Sequence, residues 1–182
     1  MVQITNASEY ALHCLLWLNP PSEAAPSARD LAELQGVPTA YLSKIMPKLE
    51  KAGIVRASGG IKGGYQLARS AEDISVLDVV DAVEGEKPLF ACQEIRARCA
   101  LFGGVAPGWA TSGTCGIHAV MLRAERAMRT ELARTSLSDL SRGLNRKMPP
   151  SFAGKALDWI WARKASRTEN QIASLKRRSR PR

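Results

Sequence analysis

Histidine, cysteine and the signature motifs of common enzyme classes are scarce or absent in this chain. Its 182 residues include two histidines and four cysteines, and aromatic residues make up 5%. The sequence contains no Gly-x-Ser-x-Gly, no His-Glu-x-x-His, no phosphate-binding loop and no dinucleotide-binding glycine motif. Because so few side chains suit acid–base chemistry, we expect a binding protein and not an enzyme.

Long apolar runs are also missing. The most apolar stretch, residues 11–18, is short and contains His13, whereas a helix needs about 20 apolar residues to cross a bilayer. No cationic segment precedes this stretch, so it does not resemble a secretion signal. We therefore expect no membrane partner and a cytoplasmic protein.

Acidic residues are scarce in the last part of the chain. Residues 142–182 hold 12 Lys and Arg against 2 Asp and Glu, whereas residues 1–141 are almost neutral. The net charge of +9 therefore describes the tail and says little about the remainder. We predict that residues 143–182 form a basic, mostly flexible extension, with one or two helical turns at 156–161.

Three short helices are predicted at the start of the chain. Apolar residues recur at helical spacing over 6–19, where Asn6 and Glu9 have the spacing of a capping box. A second helix over 28–35 follows a serine and ends at a glycine, and a third covers 39–52. The short glycine-containing link between these two helices is typical of a helix-turn-helix.

A β-hairpin is predicted after the third helix. Residues 54–57 have strand character, 58–64 form a glycine-rich turn, and 65–67 return as a second strand. Ser75 then caps a fourth helix. The sequence thus predicts a mainly helical fold with a small β-hairpin wing, in which residues 1–84 form a winged helix-turn-helix DNA-binding domain.

The third helix and the wing carry the side chains that we expect to contact DNA. Short polar groups at the start of a recognition helix suit base edges, and cations suit phosphates. The lysines of the third helix could instead be an ordinary solvated face, but the wing adds further cations. Pro47 lies inside this helix, where we expect a kink. The predicted DNA-binding residues are Thr39, Ala40, Tyr41, Ser43, Lys44, Lys48, Lys51, Arg56 and Lys62.

Three of the four cysteines lie in one glycine-rich segment, residues 85–116, which shows no sustained periodicity. Cys14 stands apart in an apolar helix and is expected in the core. Cys92, Cys99 and Cys115 make a poor disulfide framework, but thiolates are soft ligands for an iron–sulfur cluster or for zinc. Their wide spacing favours a cluster, with zinc or unligated redox-active thiols as alternatives.

A long helix is predicted after the cysteine segment, from about Ile117 to Arg134. Apolar residues recur near heptad spacing between Ile117 and Leu132, with arginines at other positions. Such a seam suits the packing of two helices about a two-fold axis. We therefore predict that residues 117–142 form the dimerisation helix of a homodimer.

These features occur together in an order that characterises one family. Glu9-Tyr10-Ala11-Leu12 lies in the first helix, Tyr41-Leu42-Ser43-Lys44-Ile45 in the third, and Gly63-Gly64-Tyr65-Gln66-Leu67 ends the wing. The cysteines, the long helix and Leu137-Ser138-Asp139-Leu140 follow. Over about residues 1–142 the sequence resembles the bacterial winged-helix regulators that include the iron–sulfur regulator IscR, the nitric-oxide sensor NsrR and the iron regulator RirA.

The resemblance implies a homodimeric regulator, often a repressor, that binds palindromic promoter DNA and responds to nitric oxide, redox state or iron supply. It also implies a 2Fe-2S or 4Fe-4S cluster held by Cys92, Cys99 and Cys115. The place of Glu9 matches an acidic ligand that one branch supplies from the partner subunit, and the place of His118 matches a histidine ligand of another branch. Glu9 is slightly favoured, because a poorly matched carboxylate would leave one iron labile, as a sensor requires.

A winged-helix protein-interaction module that binds neither DNA nor a cluster is a competing interpretation. A zinc-stabilised or thiol-redox regulator is another. Salt-dependent binding to a palindromic promoter fragment would distinguish a DNA-binding regulator from an interaction module.

Overall fold

The computed structural model describes residues 4–19, 23–58, 63–86 and 88–178, without the side chains of 171–176 and 178. The described part is mainly helical, with a two-stranded antiparallel sheet, as the sequence predicts. None of the described helices is long and apolar enough to cross a membrane. In chain order the elements are α1 (Asn6–Leu16), α2 (Ala28–Gln35), α3 (Thr39–Lys51), β1 (Val55–Ser58), β2 (Gly64–Leu67), α4 (Val76–Glu84), α5 (Gly108–Thr111), α6 (Gly116–Arg134), α7 (Leu137–Asn145) and α8 (Pro150–Arg178).

The core lies between the first four helices and the base of the hairpin. Leu15, Leu31, Leu42 and Ile54 come from four different parts of this domain, and each is fully buried. Burying one such side chain contributes roughly 1.5–3 kcal/mol to folding. Cys14 belongs to the same core, as predicted, and burial raises its pKa to about 12, so this thiol stays protonated.

Serine capping boxes begin two of the predicted helices. Ser27 and Asp30 exchange side-chain and backbone hydrogen bonds at the start of α2, and Ser75 and Asp78 do the same at the start of α4. Gly36 ends α2 in the left-handed conformation, with a φ of 65°. These boundaries agree with the sequence because capping depends on local chemistry.

The start and end of α1 differ from the prediction. Thr5 is the N-cap, and its hydroxyl accepts a hydrogen bond from Ala7 N at 3.2 Å. Asn6 is already the first helical residue, so the predicted capping box of Asn6 and Glu9 is wrong. The helix ends at Leu16 instead of residue 19.

The third helix continues through Pro47, and its end leads into the wing. Pro47 is exposed on the side away from the core, so its ring does not disturb the packing; the kink stays a prediction. In the hairpin, Arg56 lies opposite Gln66. Residues 59–62, and with them the predicted DNA contact Lys62, lie outside the described residues.

The long helix predicted from about residue 117 to residue 134 is confirmed as α6, but the whole predicted dimerisation segment 117–142 is not one helix, because α7 follows. The helix α6 ends at Arg134, because a capping box of Ser136 and Asp139 begins α7. Backbone hydrogen bonds tie this break to the start of α4, with Val76 N donating to Thr135 O at 2.9 Å.

The tail differs most from the prediction of a mostly flexible extension, because it forms the 29-residue helix α8. Ala156 and Ile160 are buried, and the ring of Phe152 lies 6.4 Å from that of Trp17. The apolar run at 156–161 is therefore the anchor of a much longer helix.

Candidate nucleic-acid interface and cysteine cavity

The exposed face of α3 carries the predicted base-contacting residues. Thr39, Ala40, Tyr41 and Ser43 are exposed, whereas Leu42 and its helical neighbours point into the core. The N-cap of this helix is a proline without a side-chain cap. The positive end of the helix dipole therefore lies among the exposed residues Thr39, Ala40 and Tyr41, which favours a phosphate.

Two contacts fix side chains on this face. The ring of Tyr41 packs edge-on against Tyr10 of α1, with centroids 5.9 Å apart. The Ser43 hydroxyl donates to Thr39 O at 3.0 Å, which leaves its oxygen available as an acceptor. The start of α3 is therefore preorganised, with polar groups directed to solvent.

The three lysines of α3 have different surroundings. All three are exposed as residues, but Lys48 Nζ donates to Val83 O at 2.5 Å, at the last turn of α4. This bond satisfies a carbonyl that the helix end leaves without an intrahelical partner. Lys48 thus links α3 to α4, which is a structural role that the sequence did not indicate. Lys44 and Lys51 remain the better candidates for phosphate contacts.

The base of the wing is held by polar contacts. Arg56 Nη2 donates to Gln66 Oε1 at 3.2 Å across the hairpin, and Glu50 Oε1 accepts from Ala57 N at 3.1 Å. The guanidinium of Arg56 therefore stays on the exposed side of the sheet, where it adds positive charge beside α3.

The cysteine segment encloses a separate cavity of about 250 Å³. Cys92, Cys115 and His118 line it, and the His118 ring lies 6.0 Å from that of Phe90. Cys99 is exposed and does not line this cavity. Within the described residues, no group of three or more His, Cys, Asp or Glu side chains is placed to hold a metal ion. Of the predicted ligands, Cys92, Cys115 and His118 are thus brought to one cavity in the single chain, and Cys99 is not.

Arg96 connects the two sides of this cavity and was not identified from the sequence. It donates to both carboxylate oxygens of Glu94, at 2.5 and 2.8 Å, and to the carbonyls of Ser112 and Gly113, at 3.4 and 3.0 Å. The hydrogen bond with Glu94 raises the Arg96 pKa, and burial opposes this shift. The sequence did offer one signal for this role, because Glu94 and Arg96 are an acid and a base two residues apart inside the cysteine segment.

Glu9 lies on a different surface. It is exposed on α1 and lines a groove of about 460 Å³ between α1, α4, α6 and α7. The groove is mostly apolar, with Leu12, Val80, Leu132 and Leu140 among its lining residues. The chain's own Glu9 and its cysteines therefore belong to separate sites.

The long helix α6 contains no buried residue in the single chain. Ile117 and Val120 are 66% and 50% exposed. On the side that faces α4, Arg129 forms a two-pronged ion pair with Asp81, at 2.9 and 2.8 Å. The helix is thus fixed to α4, and it leaves the apolar side chains of Ile117 and Val120 exposed.

Known proteins resemble this chain over most of its length. A family model described as "Rrf2: Iron-dependent Transcriptional regulator" matches residues 4–143. The protein rrf2 of Nitratidesulfovibrio vulgaris is 34% identical over 142 residues, 78% of this chain and 88% of that protein. The HTH-type transcriptional regulator IscR of Vibrio atlanticus is 34% identical over 99 residues, 54% of this chain and 57% of that protein. A solved structure of CymR, the global cysteine regulator of B. subtilis, superposes with a TM-score of 0.59 at 22% identity and covers 78% of this chain and 98% of CymR.

Proposed function

Because the chain belongs to the Rrf2 family of DNA-binding transcriptional regulators, we propose that it is a cytoplasmic repressor whose affinity for DNA is controlled by an iron–sulfur cluster. Members of this family are transcriptional regulators and not enzymes. The proposal adds three things to family membership: the DNA-binding residues, a dimer, and a cluster bound to the cysteine segment.

The exposed face of α3 is the observation that supports the DNA contacts. Thr39, Ala40, Tyr41 and Ser43 are positioned for base edges, and Lys44 and Lys51 for phosphates. Arg56 extends the positive surface onto the wing. A winged helix places its recognition helix in the major groove, and two copies would read the two halves of a palindrome.

The incompletely buried apolar side of α6 supports a homodimer, since Ile117 and Val120 are exposed and Met121, Met128 and Leu132 are only half-buried. A 19-residue helix without a buried residue is unusual in a monomer, because its apolar side chains gain about 25 cal/mol per Å² when they leave water. The groove beside Glu9 offers further apolar surface. A second copy of the chain would cover both, with its long helix crossing the first.

The cavity lined by Cys92, Cys115 and His118 is the observation that carries the cluster proposal. Two thiolates and an imidazole are soft or intermediate ligands and suit iron in a cluster. The cluster would supply iron that reacts with nitric oxide or oxidants, or that is lost when iron is scarce. Cys99 completes the cysteine set if the exposed segment around it moves.

The fourth ligand has two candidates. His118 lines the same cavity as Cys92 and Cys115 in the single chain, which supports it. Glu9 lines the groove in which a second copy would pack, which supports its donation across the dimer. Loss of one ligand should change the visible spectrum and shorten the lifetime of the cluster. We expect this result for one of the separate variants Glu9→Ala and His118→Ala; if neither changes the cluster, both assignments are wrong.

Anaerobic purification with iron, sulfide and zinc analysis tests the cluster proposal. We expect equal amounts of iron and sulfide, visible charge-transfer absorption, and loss of both in Cys92→Ser and Cys115→Ser. Cys14→Ala, which removes a thiol from the core, is the matched control and should keep the cluster. Stoichiometric zinc without sulfide would contradict the proposal.

A thiol-redox regulator without metal is the second candidate. It is favoured by the absence of a preformed three-ligand group among the described residues and by the presence of Cys92 and Cys115 on one cavity. Protein without metal whose DNA affinity changes with thiol oxidation would support this alternative.

A further inference from the structure

The helix α8 lies beyond the part of the chain that matches the family, and it packs on the DNA-binding domain. The family match ends at residue 143, whereas α8 begins at Pro150. After its buried anchor, α8 carries three cations within about one turn, and all three contact α2 or the segment just before it. These cations are Arg163, which pairs with Glu33, Lys164, which donates to Glu23 O, and Arg167.

Arg167 makes the most extensive of these contacts. Its guanidinium forms an ion pair with Asp30, whose side chain is 6% exposed. It also donates to Ser27 Oγ at 3.1 Å and to Ala25 O at 3.4 Å. Burial lowers its pKa, but a guanidinium stays charged at neutral pH. One side chain thus connects the capping box of α2 with the backbone before it.

The backbone just before α2 also supports the wing. Gly64, at the start of β2, lies so close to Ala25 that a Cβ atom would come within 1.7 Å of Ala25 O. The next amide, Tyr65 N, donates to Pro26 O at 2.9 Å, outside the hairpin. Ala25 has a φ of 40°, a conformation that a non-glycine residue keeps only when its surroundings hold it.

We propose that Arg167 is a positioning residue for the wing: by holding Asp30, Ser27 and Ala25, it fixes the segment against which β2 rests. α8 then sets how the wing meets DNA without contacting DNA at this point. The inference deepens the proposed function and rests on it for the identity of the wing's ligand. The helix beyond the family match thus supports the DNA-binding surface from behind the wing.

Amide hydrogen exchange of the full chain without DNA tests the contact itself. The Tyr65 amide reports the junction between the wing and the segment at Pro26, since its hydrogen bond lies outside the hairpin. Removal of a hydrogen bond to a charged group should speed exchange at Tyr65 about 10- to 100-fold in Arg167→Ala. Arg163→Ala is the matched control: it removes a cation one turn earlier, whose partner Glu33 lies in the last turn of α2, and it should leave Tyr65 unchanged.

Unchanged exchange at Tyr65 in Arg167→Ala would overturn the proposal, and so would equal acceleration in both variants, which would indicate general loosening of α8. If Arg167→Ala does not fold, Arg167→Lys takes its place. The lysine keeps the charge beside Asp30 but lacks the forked geometry of a guanidinium. An acceleration of exchange at Tyr65 that is smaller than tenfold supports the proposal. Unchanged exchange at Tyr65 overturns it.

Affinity for DNA is the second readout. The probe is a 40-base-pair duplex that the wild-type chain selects from a random pool. We expect about tenfold weaker binding by Arg167→Ala and wild-type binding by Arg163→Ala. Equal affinities would overturn the role of Arg167 in DNA binding. If the wild-type chain selects no duplex, the proposed function fails, while the exchange experiment still decides whether Arg167 holds the wing.

Discussion

Lys44 and Lys48 are one helical turn apart on α3, but their ammonium groups have different surroundings. Lys48 donates to a carbonyl at the end of α4, whereas Lys44 is exposed on the predicted DNA face. We predict that Lys44→Ala weakens DNA binding and lowers the salt slope by about one unit, with an unchanged melting temperature. Lys48→Ala should lower the melting temperature, because it removes a link between two helices.

Titrations of DNA binding at several salt concentrations, together with thermal melts, separate these two effects. The reverse pattern, in which Lys44→Ala destabilises the fold and Lys48→Ala affects the salt slope alone, would contradict the assignment of the two lysines.

Glu84 holds the start of α1 and is expected to make stability depend on pH. It accepts from Thr5 N, Thr5 Oγ1 and Ser8 Oγ at 2.7–2.9 Å. Burial raises its pKa, but these hydrogen bonds and the Lys48 charge outweigh burial, so the pKa lies below 4.5. Because the folded-state pKa is lowered, the stabilisation is fully present above the unfolded-state value and is lost as pH falls through the folded-state value.

We therefore predict that Glu84→Gln melts at a lower temperature than wild type at pH 7, and that this difference shrinks below pH 4. Glu131→Gln, which alters an exposed carboxylate paired with Arg134, is the control. Its melting temperature should equal that of wild type both at pH 7 and below pH 4. A difference between Glu84→Gln and wild type that stays constant with pH would show that Glu84 does not act through its charge.

Among the elements, the wing packs so closely on the segment before α2 that position 64 has no room for a side chain. An added methyl group would collide with backbone atoms of Ala25, which cannot rotate away. We expect Gly64→Ala to lower the free energy of unfolding by about 1–3 kcal/mol and to weaken DNA binding. Urea denaturation measures the first effect.

Gly143→Ala is the matched control, since a Cβ atom at this helical position meets no atom of the described residues within 4 Å. It should raise the free energy of unfolding by roughly 0.5–1 kcal/mol. Similar effects of the two substitutions would mean that the close approach at Gly64 does not matter.

Elements whose signals are local were predictable from the sequence. Ser27 and Ser75 begin their helices through partners three residues away, and the glycine-rich hairpin follows from its own composition. The N-cap of α1 is Thr5 and not Asn6. Both residue types can cap a helix, and the choice depends on the contact of Thr5 with Glu84, which lies 79 residues away in the chain.

Elements that depend on remote partners were not predictable. Arg167 holds the helix α8 against Asp30. The sequence does not show this contact, and by composition alone the basic stretch has the character of a flexible tail. The candidate site shows the same limit. The sequence identified Cys92, Cys115 and His118, but it could not show that Cys99 lies outside their cavity or that Arg96 joins its two sides.

At the scale of the whole molecule, positive charge is concentrated at the end of the chain. Residues 176–182 contain five cations and no acid. We predict that a chain ending at Leu175 binds random DNA more weakly and with a smaller salt slope, by about 0.9 for each phosphate that is no longer neutralised, while keeping its site preference. This truncation keeps the Arg167 contacts, which truncation after Gly143 would remove.

Competition between the selected duplex and random DNA is the measurement for this variant. If the chain that ends at Leu175 no longer prefers its selected duplex, the basic end reads sequence and does not merely add affinity.

We propose that a cluster bound to the cysteine segment and the DNA-binding surface influence each other. The segment lies directly before α6, and Arg129 fixes α6 to α4 of the DNA-binding domain through Asp81, so a rearrangement around Cys99 has a structural connection to that domain. A cluster can shift DNA binding only if the two forms of the protein differ in their affinity for DNA.

The most direct test is the affinity of the loaded and the cluster-free protein for the same selected duplex, measured without oxygen at one salt concentration. We predict dissociation constants that differ by about fivefold or more, the lower end of measured allosteric couplings. Equal dissociation constants, with a cluster confirmed by iron and sulfide analysis, would contradict it.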